Sequence, residues 1–259
     1  MRITTLGDLL LDVVVRLDGE LVAGDDQTAQ TIAAPGGQAA NVAAWAADLG
    51  AVARFVGRVG DDVAGELVLH ALRERGVDHC GPVAGRTGVV VSIAASGDRT
   101  MASDRGTAAE LSTRDLDEAW FDCDVLHISG YALLVEPMAS AAAAATKHAR
   151  RHGAQVSLDV STWTLVDDDV RRRVAALDPD LVFATEREQA ALGALDTRWV
   201  VKRGARGVTV DGRDHAAVPV DVVDTTGAGD ALAAGFLVGG ADLAMATAAR
   251  ACARMGAMP

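Results

Sequence analysis

The sequence predicts an α/β protein built around a mostly parallel sheet. Short apolar runs alternate with longer amphipathic or alanine-rich segments along the chain, and this alternation is typical of βαβ units. A chain of 259 residues, 50 % of them hydrophobic, is long enough to bury one large core. Three cysteines, Cys80, Cys123 and Cys252, are too few and too scattered for a disulfide framework, which favours a reducing compartment.

The alternation can be assigned to particular strands and helices. The predicted strands are Ile3–Leu6, Val52–Val56, Val125–Ile128, Gln155–Leu158, Leu181–Phe183 and Trp199–Val201. The predicted helices are Gln38–Leu49, Val63–Arg75, Pro137–Arg151, Val170–Leu177, Arg187–Leu192 and Gly227–Val238. Pro137 suits a helix start because the first helical N–H has no partner in any case, and Gly153 suits the position after a helix end.

Two stretches, at about 12–34 and 87–107, interrupt this order with further strand-like runs. In the second stretch the turn residues Ser96-Gly97-Asp98-Arg99 separate two such runs, which predicts a hairpin. We expect a small β excursion from the main sheet that could serve as a lid. The sequence contains neither repeats nor a low-complexity linker, so a single domain over residues 1–259 is expected.

The charge of the chain excludes several classes of partner. Lys and Arg number 24 against 36 Asp and Glu, a formal charge of −12. Nucleic-acid binding and attachment to an anionic membrane both need clustered basic residues, so neither is expected. The longest uncharged apolar stretch, Ala231–Ala241, is short for a membrane span. The start of the chain shows no basic-then-apolar signal peptide, and a cytoplasmic location is expected.

The most informative motif lies near the end of the chain. An apolar run at Val222-Val223 leads through Asp224-Thr225-Thr226 into a Gly227-Ala228-Gly229 turn that opens an alanine-rich helix. Unpaired N–H groups at such a helix start attract anions, and glycines let the backbone approach closely. Asp230 follows in the first helical turn. It could cap the helix, or it could act as a general base beside a bound phosphate.

A second glycine turn opens an earlier helix. Gly36 and Gly37 precede the predicted helix at Gln38, and Asn41 supplies a donor and an acceptor one turn later. Asp12 follows the first strand and can accept two hydroxyl hydrogen bonds, which suits a polyol. By contrast, a P-loop is absent, the Gly227 turn lacks the third glycine of a dinucleotide fingerprint, and no G-x-S-x-G occurs.

Taken together, these segments resemble the ribokinase (PfkB) family of sugar and nucleoside kinases over nearly the whole chain. Further matching segments are Arg105-Gly106, Lys202-x-Gly204-x-x-Gly207 and Ala253-Arg254-Met255-Gly256-Ala257. The resemblance implies a ribokinase-like three-layer αβα sandwich with a mostly parallel central sheet and a small β lid. It also implies transfer of the γ-phosphate of ATP, with Mg²⁺, to a hydroxymethyl group of a small sugar.

The resemblance also implies roles for individual residues. Asp230 would be the catalytic base, and the backbone of Gly227, Ala228 and Gly229 would form the anion hole. The implied substrate-binding residues are Asp12, Gly36, Gly37, Asn41 and Arg105. The implied nucleotide-binding residues are Thr185, Lys202, Gly204, Gly207, Thr225 and Thr247. The β lid would exclude water so that ATP is not hydrolysed, and a homodimer could form through it.

Three positions depart from the family pattern. Thr185 replaces the asparagine of an Asn-x-x-Glu element, whose Glu188 is retained and would support Mg²⁺ indirectly. Thr247 replaces a late asparagine near the nucleotide base. The monovalent-cation loop is matched at Asp224, Thr226, Arg254 and Gly256, but Pro259 precedes the family's last ligand. The loop is therefore only partly matched, which argues against activation by K⁺.

Two alternatives to a sugar kinase remain from the sequence. A nucleoside kinase of the adenosine or pseudouridine type would need an apolar or aromatic wall for the base. Trp45, Phe183 and Trp163 are the candidates for it in a chain with 3 % aromatic residues, so a sugar is favoured. A non-catalytic sugar sensor is the other alternative, although a sensor has no use for the Asp230 base. The sequence does not identify the sugar or the oligomeric state.

Overall fold

The computed structural model describes residues 1–95 and 98–259. Within these ranges thirteen strands form two sheets. The strands are β1 Arg2–Leu6, β2 Leu10–Arg16, β3 Gln30–Gly36, β4 Val52–Val56, β5 Asp78–Cys80, β6 Thr87–Ala95, β7 Asp98–Gly106, β8 Val125–Ser129, β9 Gln155–Asp159, β10 Leu181–Thr185, β11 Arg198–Lys202, β12 Val208–Val210 and β13 Arg213–His215.

The larger sheet has the strand order β13-β12-β11-β10-β9-β8-β1-β4-β5. Every pair from β11 to β5 is parallel, and β12 and β13 add an antiparallel edge. The inner strands are buried along most of their length, as expected for a parallel sheet covered on both faces. Their carboxyl ends therefore meet at one edge, where a ligand crevice is expected.

Six helices cover the two faces of this sheet. They are α1 Gln38–Asp48, α2 Val63–Glu74, α3 Met138–Arg151, α4 Asp168–Leu177, α5 Glu186–Leu192 and α6 Ala228–Cys252. One core cluster contains buried residues of α1, α2 and α6, and another contains those of α3, α4 and α5. The predicted three-layer αβα sandwich is confirmed. Each of the six α-helices begins within two residues of the start predicted from the sequence.

The smaller sheet has the order β3-β2-β6-β7. Its β2–β6 pair is parallel, while β2–β3 and β6–β7 are antiparallel. The segments 12–34 and 87–107 contribute nearly all of this sheet, and β3 runs directly into Gly37 and α1. Of the predicted hairpin turn, Ser96 and Gly97 lie outside the described residues. We call this sheet the β lid.

Helix α6 is longer than the sequence predicted. It continues past Val238 to Cys252, but Gly239 and Gly240 have non-helical backbone angles, so two helical segments meet at a kink. By length and composition α6 could cross a membrane, with a mean hydropathy of 1.5 over an 18-residue window. Half of that window is buried inside the protein, and core helices of soluble proteins have the same composition.

Candidate active site

Two cavities lie next to each other where the central strands end. The polar cavity, of about 680 Å³, is lined by residues that include Asp8, Asp12, Asn41, Arg105, Tyr131 and Asp230. The apolar groove, of about 530 Å³, is lined by residues that include Lys202, Val218, Val220, Leu232 and Met245. Residues 225–230 border both, because Thr226, Gly227 and Asp230 face the polar cavity while Thr225, Ala228 and Gly229 face the groove. This turn therefore separates the two cavities.

Asp230 lies in the first turn of α6 and reaches the polar cavity. Its Oδ2 accepts a hydrogen bond of 2.7 Å from Asn41 Nδ2 on α1. Burial raises the pKa of Asp230 to about 7, and the nearby carboxylates of Asp159 and Asp12 add to this rise, although the Asn41 hydrogen bond opposes it. A carboxylate with a pKa near neutrality is a competent proton acceptor at neutral pH.

Asp12 and Gly37 form another wall of the polar cavity, which Gly36 does not line. Asp12 lies in β2, which pairs with β3, and its carboxylate packs directly against Gly36. A Cβ atom on Gly36 would be only 2.1 Å from Asp12 Oδ2. Gly37 caps α1 at a φ of 100°, in the region that favours glycine. Gly36 thus makes room for the Asp12 carboxylate, and Gly37 makes room for the backbone of Asp8.

Arg105 connects the β lid to the central sheet. It extends from β7 into the polar cavity, where its guanidinium forms an ion pair with Asp8, which follows β1. The guanidinium also lies 5.0 Å from the centroid of the Tyr131 ring. Burial raises the pKa of Asp8, and Arg105 offsets part of this rise. Arg105 is therefore anchored to the floor of the cavity.

The start of α6 has the geometry of an anion cradle. Gly227 has a φ of 74°, and a Cβ atom there would lie 2.6 Å from the Ala257 backbone. Ala228 N–H donates a hydrogen bond of 3.2 Å to the Thr225 carbonyl. Among the described residues, none accepts a hydrogen bond from the N–H groups of Gly229 and Asp230. These N–H groups lie at the positive end of the helix dipole, where anions bind.

The apolar groove does not include Thr247, which the sequence placed near the nucleotide base. Thr247 is fully buried, and its Oγ1 donates a hydrogen bond of 2.7 Å to the Leu243 carbonyl. The helical period places its neighbours Met245, Ala248 and Ala249 on the groove instead. Because the hydroxyl of Thr247 is already bonded within the core, the structure separates this residue from the groove.

Lys202 lies between the groove and the carboxyl end of the sheet. Its Nζ donates to both oxygens of Asp159, at 2.8 and 2.7 Å. Burial lowers the pKa of Lys202, but Asp159 and Glu188 outweigh that effect and raise it overall. Asp159 is fully buried at the end of β9. Gly204 and Gly207, which follow Lys202, line the groove.

Thr185 and Glu188 cap each other at the start of α5. Thr185 N–H donates to Glu188 Oε2 at 2.7 Å, and Glu188 N–H donates to Thr185 Oγ1 at 3.3 Å. This reciprocal arrangement is a capping box. Both residues also line a small cavity beside Lys202. One oxygen of Glu188 is therefore committed to the helix start.

The residues of the predicted cation loop are partly brought together. Asp224 Oδ1 accepts from Thr226 Oγ1 at 2.7 Å, and Asp224 Oδ2 accepts from Gly256 N–H at 3.3 Å. The side chain of Arg254 is exposed. Ala257, which follows Gly256, packs against Gly227. Its carbonyl accepts a hydrogen bond of 2.8 Å from Trp45 Nε1.

Several residues of the site escaped the sequence analysis. Asp8 follows the buried parallel strand β1, and Asp159 is the last residue of β9. Polar side chains at the carboxyl ends of parallel strands commonly face a ligand. Gln38 begins α1, and its Oε1 accepts hydrogen bonds from Ser129 and Ser161 at 2.5 and 2.6 Å. A carboxylate at the end of an apolar strand was the available signal for the two aspartates. Gln38 carried no such signal.

Comparison with known proteins shows the family of this chain and its fold. Residues 2–258 match the family model described as pfkB family carbohydrate kinase. A fructokinase from Klebsiella pneumoniae is 32 % identical over 268 residues, covering 92 % of this chain and 84 % of that protein. The crystal structure of adenosine kinase from Sinorhizobium meliloti superposes with a TM-score of 0.87 at 26 % identity, covering 100 % of this chain and 95 % of that chain.

A putative ribokinase II from E. coli, in complex with ATP and Mg²⁺, has the same fold, with a TM-score of 0.85 at 24 % identity. That superposition covers 99 % of this chain and 94 % of the other. The fold and the paired cavities define an ATP-dependent carbohydrate kinase of the ribokinase-like class. The chain belongs to the PfkB family of carbohydrate kinases. The resemblance found in the sequence is confirmed.

Proposed function

We propose that the protein transfers the γ-phosphoryl group of ATP to a hydroxymethyl group of a small sugar. The sugar would bind in the polar cavity and the nucleotide in the apolar groove. The observation that carries this proposal is that residues 225–230 border both cavities. A turn shared in this way brings the sugar, as phosphoryl acceptor, and ATP, as phosphoryl donor, to the same set of backbone N–H groups. Phosphoryl transfer depends mainly on such positioning.

Asp230 is the general base of this proposal. Its carboxylate accepts the proton of the acceptor hydroxyl while that oxygen forms its bond to the γ-phosphorus and the bond to the ADP oxygen breaks. The raised pKa of Asp230, about 7, supports this role. The backbone at Gly227, Ala228 and Gly229 forms the anion hole, with the Gly229 N–H as its best-supported donor because it lacks a protein acceptor among the described residues.

The sugar would be bound by the residues of the polar cavity. Asp12 and Asn41 accept hydrogen bonds from its hydroxyls, Gly36 leaves room for the Asp12 carboxylate, and Gly37 lines the cavity beside the ligand. Arg105 reaches the same cavity from the β lid. The lid excludes water, so that the acceptor hydroxyl and not water receives the phosphoryl group.

The groove suits a purine nucleotide. Its walls include Val218, Pro219, Val220, Leu232 and Met245, which can contact an apolar base. The implied phosphate neighbours are Lys202, Gly204, Gly207, Thr225 and Thr185. Mg²⁺, when bound, neutralises phosphate charge. It is usually bound by substrate phosphates and one or two carboxylates, and the partly committed Glu188 beside Lys202 fits that indirect role.

A nucleoside kinase is the second candidate, and the likeness to an adenosine kinase structure supports it. It would need a wall for the base in the polar cavity. Trp45 and Phe183, two of the three aromatic candidates, are fully buried in the core. Trp163 is 49 % exposed but lines the small cavity beside Lys202. None of these three aromatic candidates lines the polar cavity, so a base would have to pack against Tyr131 and the apolar side chains of Val90, Met101 and Leu134, which do line it.

The test is an ADP-release screen of the purified protein with ATP and Mg²⁺ against ribose, fructose, 2-keto-3-deoxygluconate, adenosine and pseudouridine. We expect ADP release with at least one sugar, and its loss on chelation of Mg²⁺. Binding of a sugar without any ADP release would instead support the sensor alternative. The same assay with and without K⁺ tests whether the loop at Asp224 binds an activating monovalent cation. A cytoplasmic location and a homodimer through the lid stay predictions, for fractionation and analytical ultracentrifugation.

A further inference from the structure

The charges that line the polar cavity are unequal. Three carboxylates, of Asp8, Asp12 and Asp230, line it together with one guanidinium, that of Arg105, as far as the described residues extend. A lone arginine in a sugar site is the usual means of binding a carboxylate or phosphate on the ligand. Whether Arg105 can do so here depends on whether its charge is already balanced.

Arg105 is balanced by Asp8. The two side chains form an ion pair, and the Asp8 side chain is only 4 % exposed while that of Arg105 is 22 % exposed. Tyr131 covers the guanidinium at 5.0 Å from its ring centroid. An anionic ligand would have to compete with this buried carboxylate and would also face the carboxyl group of Asp230. Like charges brought together at such a site oppose binding.

The remaining polar atoms point to the same ligand chemistry. Asp8 Oδ1 and Asn41 Oδ1 are buried acceptors without a described hydrogen-bond partner, and Arg105 Nε and Nη2 are buried donors without one. Asp8 and Asn41 are 3 % and 5 % exposed. A hydroxyl group both donates and accepts, so several hydroxyls can satisfy all four atoms. A carboxylate or phosphate group in their place could satisfy the two donors but not the two acceptors, because it can only accept.

We propose that the Asp8–Arg105 pair makes this enzyme selective for an uncharged, hydroxyl-rich substrate and excludes sugar acids and sugar phosphates. The proposal rests on the proposed function, because it concerns the ligand of the same cavity. Asp8 is here a specificity-determining residue that the sequence analysis did not single out.

The test compares binding of ligands that differ only in one charged group. D-Fructose and 2-keto-D-gluconate differ at one carbon, a hydroxymethyl group against a carboxylate, and D-fructose and D-fructose 6-phosphate, which differ by one phosphate group, provide a second pair. Calorimetric titration of the wild-type protein without nucleotide should give binding of an uncharged member, with its charged partner at least about tenfold weaker. Equal or tighter binding of a charged partner, or binding of no uncharged member, would overturn the proposal.

Asp8→Asn tests the mechanism of this selectivity. It preserves the shape of the side chain and leaves the Arg105 charge unbalanced, so the preference for the uncharged ligand should fall by about tenfold. The matched control is Asp211→Asn, which removes the carboxylate of an exposed pair with Arg198 and should leave the preference unchanged. An unchanged preference in folded Asp8→Asn would overturn the role of the pair. The wild-type titrations decide on selectivity even if this variant does not fold.

The two proposals fail in different ways. If an uncharged sugar binds but ATP is never consumed, the selectivity stands and the kinase function fails. If ATP is consumed and a sugar acid is the preferred acceptor, the kinase function stands and the selectivity fails. Binding and ADP release measured on the same ligand pairs distinguish these outcomes.

Discussion

Asn41 and Asp230, 189 residues apart in the sequence, are joined by a hydrogen bond of 2.7 Å between Asn41 Nδ2 and Asp230 Oδ2. The bond connects the first turn of α1 with the first turn of α6, the two helices whose starts border the polar cavity. The sequence analysis assigned Asn41 to the substrate alone. Its amide nitrogen also positions the proposed base, while its oxygen remains available to a ligand.

Replacing Asn41 should shift the pH dependence of the enzyme. The Asn41 hydrogen bond lowers the pKa of Asp230, so Asn41→Ala should raise that pKa and move the acidic limb of kcat/KM to higher pH. Hydrogen bonds to charged groups contribute about 1.5–3 kcal/mol, which corresponds to a loss of roughly tenfold or more in kcat/KM below neutrality. A pH–rate profile of both proteins measures the shift. A uniform loss at all pH values would contradict the effect on Asp230.

Asp230→Asn should abolish turnover while ATP and sugar binding persist. General-base catalysis accelerates a reaction by about 100- to 10,000-fold, so kcat should fall at least about 100-fold. Turnover and calorimetric binding on the same preparation check this prediction. Near-normal turnover would exclude the general-base role. Asp196→Asn, at an exposed carboxylate that lines neither cavity, should behave as wild type.

The same variant should change stability in a pH-dependent way. Folding raises the pKa of Asp230 from 3.8 to about 7, so the folded state favours the protonated carboxyl. The contribution of Asp230 to the stability of the wild-type protein therefore falls as the pH rises from about 4 to about 7, and Asp230→Asn lacks this contribution to the pH dependence. Thermal unfolding should show the variant more stable than wild type at pH 8, with the difference vanishing toward pH 4. A variant less stable at pH 8 would contradict the burial of this charge.

Asp12→Ala should weaken sugar binding and leave ATP binding unchanged. Loss of hydrogen bonds to a carboxylate should raise the sugar Kd by about 10- to 100-fold. Gly36→Ala should have a similar effect, because its Cβ would lie 2.1 Å from Asp12 Oδ2 and displace that carboxylate. Gly19→Ala is the matched control, since nothing lies within 4 Å of a Cβ there. An effect of Asp12→Ala on ATP affinity alone would refute the substrate assignment.

Lys202→Met should destabilise the protein by leaving a buried charge unpaired. Asp159 is fully buried and receives both of its close ion-pair contacts from Lys202 Nζ. Breaking such a pair typically costs about 3–5 kcal/mol. The double variant Lys202→Met with Asp159→Asn should recover a large part of that loss, as measured by urea denaturation. Additive effects of the two substitutions would show that the pair is not coupled.

Most of the α/β fold could be predicted because its strands and helices have strong local patterns. Val52–Val56 matches β4 in full, and α1 begins at the predicted Gln38. The strands β5, β12 and β13 were missed because three residues are too few to establish a period. The length of α6 was missed because Gly239-Gly240 resembles a helix end, although the chain continues as a second helical segment.

The residues of the candidate site also differ in whether a local sequence pattern indicates them. The Gly227 turn and Asp230 could be proposed as site residues from the sequence because a glycine turn before a helix has a local signature. The Asp8–Arg105 and Asp159–Lys202 pairs join residues 97 and 43 positions apart, and no local pattern encodes which charges meet. Thr247 illustrates the opposite error, since its side chain faces the core and not the groove on the same helix.

The hydrogen bond from Trp45 to the Ala257 carbonyl, together with the packing of Ala257 against Gly227, has a consequence for the biosynthesis of the enzyme. The polypeptide emerging from a ribosome completes the sandwich strands long before residue 257 is available. Contacts between such distant residues form late in folding because closing the long intervening loop is entropically costly. Catalytic activity should therefore be acquired as one of the last events after synthesis, well after most of the secondary structure has formed.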